Sequence, residues 1–223
     1  FPTGIPDWAT PGCWAPGTIV TDVGSVKEAI LAGVRPPLAA PGAHFVGSHP
    51  MAGAEKTGPA AASPDLFEKA VCVVTPTPRT SAVAVRRVTE MWEAVGSQVL
   101  RLQPEAHDDF VSRSSHLPHV VASELAYYVL SPAHPAEQHR LCATGFRDTT
   151  RVASSSPEMW RDVVLANRKH LARVLGVFIE GLEEFRHSLE TGDDRAILEF
   201  FEQAKARRDA WIHGGSVPSP SLE

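Results

Sequence analysis

Apolar and polar positions follow two different rhythms along this chain. Up to Pro104, short β-branched runs are interleaved with helical stretches; beyond it only helical periodicity remains. Thr18-Ile19-Val20-Thr21-Asp22 reads as a strand, Val23-Gly24-Ser25 as a turn, and 26–32 as a helix. His44-Phe45-Val46 is a short apolar strand running into a loop, Gly47-Ser48-His49-Pro50-Met51-Ala52-Gly53, which continues through Glu55, Lys56, Thr57 and Gly58. Val71-Cys72-Val73-Val74 is a strand stopped by Pro76 and Pro78. Residues 81–96 form an amphipathic helix with Val83, Val88, Met91, Trp92 and Val95 as apolar members, and 98–102 is one more strand. Strand–helix–strand alternation with short links predicts an α/β half with a parallel sheet.

Past Pro104, residues 105–130 are helical with an interruption at Pro118, and 138–142 is a short piece. Ser154-Ser155-Ser156-Pro157 starts a helix with proline at or near its first position. The spacing predicts one long helix over 157–187, striped by Val163, Leu171, Val174, Phe178, Leu182 and Phe185, then a last helix over 193–211 after Gly192. The expected fold class is thus α/β then all-α. Its expected domains are 1–103 and 104–213, followed by a disordered Ser- and Pro-rich tail, 214–223. Such helices carry more apolar surface than so small a module buries alone, which predicts self-association through them. Residues 1–17, with Trp8 and Trp14 among prolines and glycines, predict no regular element.

Composition narrows the class. At 43% hydrophobic and 21% charged, the 223 residues have ordinary globular content, enough for one or two domains. A formal charge of −5 lacks the basic footprint of a nucleic-acid binder. No apolar run is long enough to cross a bilayer, and the first residues do not resemble a signal peptide, so the expected location is cytoplasmic. The 3 cysteines, Cys13, Cys72 and Cys142, suggest neither a disulfide framework nor a zinc motif.

Four polar clusters carry candidate chemistry. His49 follows an apolar strand and precedes Pro50, which biases it toward extended backbone and so sets the direction of the imidazole. Carboxyl ends of α/β strands are where ligands bind. Ser25 with Glu28 fits the S-x-x-E capping box; a capping serine also sits beside N–H groups that can hold a cofactor or anion. His116 and His119 lie three apart on one helix face, serving either as packing at a helix junction or as the lining of a cleft; as a zinc site they lack a third ligand. Arg151, in a loop before a helix start, is a fork for a substrate carboxylate or the partner of Asp148 in a structural pair.

Thr21-Asp22-Val23-Gly24-Ser25-Val26-Lys27, then Ser48-His49-Pro50-Met51-Ala52-Gly53-Ala54-Glu55-Lys56-Thr57-Gly58, then His107-Asp108 with Ser115-His116-Leu117-Pro118-His119, then Asp148-Thr149-Thr150-Arg151 with Met159-Trp160-Arg161-Asp162 occur in this order. Together they resemble the prephenate dehydrogenase family, which includes arogenate and cyclohexadienyl dehydrogenases. The resemblance implies a partial Rossmann-type nucleotide-binding domain followed by a helical dimerisation domain, acting as a homodimer. It implies NAD- or NADP-dependent oxidative decarboxylation of prephenate or arogenate in tyrosine biosynthesis, without a metal. By resemblance, His49 is the catalytic histidine that takes the ring-hydroxyl proton, and Ser25 bonds the same hydroxyl. Arg151, His119, His116, Glu55 and Asp148 belong on the substrate side, and Asp22, Gly24 and Ser25 on the cofactor side. An unperturbed His49 would lose activity on acidification near the histidine reference of about 6.5.

The family's Gly-x-Gly-x-x-Gly turn is not found in these residues, so the expectation is a chain that begins inside the nucleotide domain and binds NAD(P) poorly by itself. The alternative function is a non-catalytic dimeric module that binds an aromatic acid.

Overall fold

The computed structural model describes residues 15–34, 43–53 and 62–214. Glu55, the expected tail beyond Gly214, and most of the opening 17 residues lie outside the described residues. By backbone packing the chain divides into Phe1–Ala172 and Arg173–Glu223.

A four-stranded sheet of order β1-β2-β3-β4 organises the first unit, built from β1 (Ile19–Thr21), β2 (His44–Pro50), β3 (Val71–Thr75) and β4 (Gln98–Arg101). β1 and β2 are parallel, as are β3 and β4, but β2 and β3 are antiparallel. The expectation of an all-parallel sheet is therefore corrected. A parallel link needs a crossover, normally a helix, and among the described residues the approach to β3 is a series of turns ending at Lys69, whose φ is 62. The expected loop after Val46 is also strand. Gly47 to Pro50 continue β2 by pairing with Thr75 to Cys72. Gly47 makes that pairing possible, because a Cβ there would stand 2.5 Å from Thr75 Oγ1, inside the sheet.

The helix α1 (Glu28–Val34) follows β1, and α2 (Ala82–Ala94) covers the sheet, its start capped by Ser81. Ala84, Val85, Val88 and Trp92 of α2 pack on Val46, Cys72 and Val74, with Phe67 edge-on to Trp92. Val83, Met91 and Val95, expected in the apolar stripe, are exposed in the chain. The buried positions repeat from Ala84 at four-residue steps, and those three fall off that line.

No strand occurs beyond β4 among the described residues. Pro104 starts α3 (Pro104–Val111), which passes through a single π-helical turn, Ser112–His116, into α4 (Leu117–Val129). The interruption expected at Pro118 takes this form: the wider turn ends just before Pro118, placing it in the first turn of α4, where its missing N–H costs least. Two short helices, α5 (Ala136–His139) and α6 (Thr144–Thr150), lead into a 3₁₀ turn, Arg151–Ser154, that packs against α4.

The single helix expected over 157–187 is two, α7 (Pro157–Ala166) and α8 (Arg168–Thr191). Asn167 ends α7 with φ −105 and ψ 22, and its side chain is spent on tertiary hydrogen bonds that a continuous helix would not place. In the second unit Gly192, at φ 69, turns the chain into α9 (Asp194–Ile212), and Asp193 accepts from Ala196 N–H. Phe185 packs on Phe200 and Phe201 with ring centroids 4.6 and 5.8 Å away. None of the described helices is long and apolar enough to cross a membrane.

Candidate active site

The carboxyl ends of parallel β1 and β2 share one edge of the sheet, and α3 runs over it. His49 is the penultimate residue of β2, 8% exposed. Its Nδ1 lies 2.8 Å from His107 Nε2, and His107 Nδ1 lies 2.7 Å from Asp108 Oδ1. All three are buried. The partners assign the tautomers. A carboxylate only accepts, so His107 Nδ1–H donates to Asp108; His107 Nε2 is then a lone pair and receives the Nδ1–H of His49. His49 Nε2 is left as a bare proton acceptor.

Asp108 does more than orient a histidine. Its Oδ1 also accepts from Lys27 N–H at 2.8 Å and its Oδ2 from Glu28 N–H at 3.0 Å, so α3 caps the start of α1. Ser25 was expected in that role. It is displaced because α1 begins at Glu28, three residues on, leaving the Ser25 side chain half-buried on the preceding turn with no hydrogen bond among the described residues. The capping reading is corrected; the position of Ser25 between β1 and α1 is not.

Lys27 is a fully buried cation beneath the same edge. Its ammonium donates to Asp22 Oδ2 and, at 2.6 Å, to the Ser48 carbonyl. Asp22 in turn accepts from Gly24 N–H at 2.9 Å and Ser48 N–H at 3.0 Å, so one ion pair ties the turn after β1 to the residue before His49. Burial holds the Lys27 pKa below its ordinary value against the opposing pull of Asp22.

His116 and Asn167 extend the buried set. Asn167 Nδ2 donates to the Asp108 carbonyl at 2.8 Å and to His116 Nδ1 at 3.1 Å, which makes His116 the Nε2–H tautomer. That Nε2 and Trp160 Nε1 are buried donors without a partner among the described residues. Trp160 lies edge-on to His116 and stacks on His119 with centroids 3.6 Å apart. His119 Nδ1–H donates to the Ser115 carbonyl at 2.9 Å, leaving its Nε2 as an acceptor.

Burial, with the nearby His107 and the Lys27 charge, pushes His49 down to about 3; burial takes His116 to about 4 against the pull of Asp108. Both stay neutral at neutral pH. An unfolded chain protonates these rings from about pH 6.5 downward while the folded one does not, so the fold loses stability as pH falls from 6.5 toward 4. Each ring contributes about 1.4 kcal/mol per pH unit in that window. Urea unfolding at pH 7, 6 and 5 should show a steadily falling midpoint; a flat midpoint would mean that the two rings are not held neutral.

Of the expected residues, His116 and His119 flank Trp160, with His116 within electrostatic reach of His49, while Asp22 joins Gly24 to Ser48, the residue before His49. Arg151 and Asp148 are exposed, on the 3₁₀ turn and on α6. Arg151 was read as a loop residue; the segment is helical from Thr144 and tightens to 3₁₀ at Arg151. Sequence reasoning assigned no role to His107, Asp108, Lys27 or Asn167. The available signals were an adjacent His-Asp pair opening a helical half, and an asparagine, a poor helix former, within the run expected to be one long helix. No three His, Cys, Asp or Glu residues among those described gather as a metal site.

Residues 13–101 match the family model "Prephenate dehydrogenase, nucleotide-binding domain", and 103–203 match "Prephenate dehydrogenase, dimerization domain". The chain is 36% identical over 197 residues to a prephenate dehydrogenase of Bacillus subtilis, covering 86% of this chain and 52% of that protein. It is 35% identical to a cyclohexadienyl dehydrogenase of Zymomonas mobilis, covering 85% and 65%. The chain thus spans about half to two thirds of these relatives. Among solved structures, prephenate dehydrogenase from A. aeolicus, in complex with hydroxyphenyl propionate and NAD+, superposes with a TM-score of 0.78 at 32% identity, covering 85% of this chain and 66% of that one. Synechocystis arogenate dehydrogenase gives 0.77 at 28% identity, covering 89% and 71%.

Proposed function

Since the chain belongs to the prephenate dehydrogenase family, we propose that it carries the proton-accepting and substrate-binding parts of a cytoplasmic NAD(P)-dependent dehydrogenase that oxidatively decarboxylates prephenate or arogenate. The observation that carries this reading is the buried run Asp108–His107–His49, which ends in a bare Nε2 at the carboxyl edge of the sheet.

The residues at that edge fit the nicotinamide end of the cofactor. Val23, 63% exposed, and Met51, 40% exposed, give apolar surface just past the ends of β1 and β2. Gly24 and Ser25 follow Val23 on a turn whose shape Asp22 fixes through Gly24 N–H. NAD(P), when bound, supplies the acceptor for the hydride that leaves the substrate's carbinol carbon. Ser25 and His49 hold the ring hydroxyl, and His49 Nε2 takes its proton. An imidazole with a pKa as low as about 3 suffices, because a hydroxyl becomes a strong acid while its carbon loses hydride. The enzyme's further task is orientation.

His119 with its Trp160 neighbour, His116, Arg151, Asp148 and Glu55 make up the substrate side. The turn bearing Arg151 lies against α4, which carries His119, and a guanidinium there suits a carboxylate. Arg151→Ala should raise KM roughly 10- to 100-fold with a smaller change in kcat, since a charge-assisted pair of about 1.5–3 kcal/mol exists already in the bound ground state. The proposed assembly is a homodimer through the helical part, where Ile179, Leu182, Phe200, Phe201 and Trp211 are exposed in the single chain.

The test is steady-state formation of reduced nicotinamide by the intact enzyme with prephenate and with arogenate, each with NAD and with NADP. Turnover of either acid supports the reading. Tight binding of an aromatic acid without turnover would replace it with the non-catalytic module.

A further inference from the structure

We propose that His107 is the second station of a proton relay: the proton taken at His49 Nε2 is matched by transfer of the His49 Nδ1 proton to His107 Nε2, so the positive charge rests beside the Asp108 carboxylate while the substrate is oxidised. It rests on the reading of His49 as proton acceptor.

The geometry supplies each link. A His49 protonated at both nitrogens would be a cation in a buried site beside the Lys27 ammonium and two further imidazoles, His107 and His116, and it has no carboxylate within its own hydrogen bonds. Its Nδ1–H already points at a lone pair 2.8 Å away. Shifting that proton moves the charge to a ring whose other nitrogen is 2.7 Å from a carboxylate oxygen, a charge-assisted contact shielded from water. The surrounding charges are arranged for this. Lys27 is hydrogen-bonded to Asp22 and feels Asp108 only as a more distant charge, whereas Asp108, though it accepts from two backbone N–H groups and from His107, has no cationic side chain in hydrogen-bond contact among the described residues until His107 becomes one.

The bookkeeping closes. The substrate O–H bond breaks and His49 Nε2–H forms; His49 Nδ1–H breaks and His107 Nε2–H forms. Hydride departs to the nicotinamide cofactor with the C–H pair, leaving a ring carbonyl. When the ring carboxylate leaves as CO₂, its bonding pair aromatises the ring and returns a pair to oxygen, which recovers the proton along the same two bonds. The proton is borrowed rather than released, which suits a relay with no exit to solvent: His107 is fully buried.

His107 touches neither substrate nor cofactor in this scheme, so it is a positioning residue, and the test separates relay from mere support. Nitrogen-15 NMR of the histidine rings in the cofactor-free protein should show His49 and His107 both protonated at Nδ1 with bare Nε2; the opposite tautomer at either ring overturns the relay. His107→Gln keeps an acceptor for the His49 Nδ1–H but cannot take its proton. In the intact enzyme it should lower kcat roughly 100-fold with KM within about 2-fold of the parent. Parental kcat in His107→Gln, with His49→Asn inactive, sinks the relay and leaves His49 as the acceptor; parental kcat in His49→Asn sinks the acceptor reading itself. Should His107→Gln fold poorly, the NMR tautomers of the parental protein decide.

Discussion

His49→Asn is expected to lower kcat on the order of 10²–10⁴-fold while leaving KM close to the parental value. Asparagine preserves much of what His49 does for the fold. Its amide N–H can donate to His107 Nε2, and it fits the extended backbone opposite Val73 in the β2–β3 pairing. What it lacks is a basic lone pair facing the edge of the sheet, and that pair acts only while the hydroxyl is losing its proton. The pH profile sharpens the expectation. The sequence alone suggests an acid limb near 6.5, but burial pushes His49 to about 3, so kcat/KM should stay level through pH 6.5 and fall only at distinctly lower pH. Steady-state kinetics of parent and variant, each across pH, decide both points. Near-parental kcat in His49→Asn would reduce this residue to a strand histidine and remove the mechanism with it.

Asp108→Asn should have the largest effect on stability, a loss of about 3–5 kcal/mol, because removing one partner from a buried charged network leaves the others unsatisfied. The carboxylate accepts three donors: Lys27 N–H, Glu28 N–H and His107 Nδ1–H. An asparagine offers one oxygen and turns an NH₂ group toward at least one of those donors, so one buried contact becomes donor against donor. Such a loss is a large part of the 5–15 kcal/mol typical of a whole domain. It also frees the start of α1 and lets His107 turn, so kcat falls in whatever fraction remains folded. Urea unfolding at neutral pH measures the first effect. A loss below about 1 kcal/mol would mean that α1 is held by other contacts than the ones seen here.

The chain's local patterns determined a good deal on their own. Runs rich in apolar and β-branched residues at 18–22, 71–74 and 98–102 marked strands, within a residue or so of β1, β3 and β4, because such side chains pack on a pleated surface wherever they find a partner. The helices read over 81–96 and, after Gly192, over 193–211 begin in the structure at the caps Ser81 and Asp193, because capping and the positive φ of Gly192 are short-range matters. Four clusters in register pointed to the family, and that resemblance named His49, Ser25 and His119 as site residues.

What stayed hidden depended on partners far away in the chain. The direction of β3 against β2 is visible only in the pairing of Gly47 to Pro50 with Thr75 to Cys72, which no strand pattern records. Ser25 and Glu28 satisfy a capping box on paper, yet Asp108, some eighty residues on, reaches the same N–H groups with a full charge and α1 starts later. Asn167 breaks what periodicity joins into one helix because its amide is needed at the Asp108 carbonyl and at His116. The pKa of His49 belongs to the same class. Its residue type places it near 6.5, and only the dry, positively flanked pocket formed by α3 and the turn after β1 moves it to about 3. Short-range physics, a matter of propensity and capping, is written in adjacent residues; desolvation and long-range hydrogen bonds come into being only when the chain has closed around them.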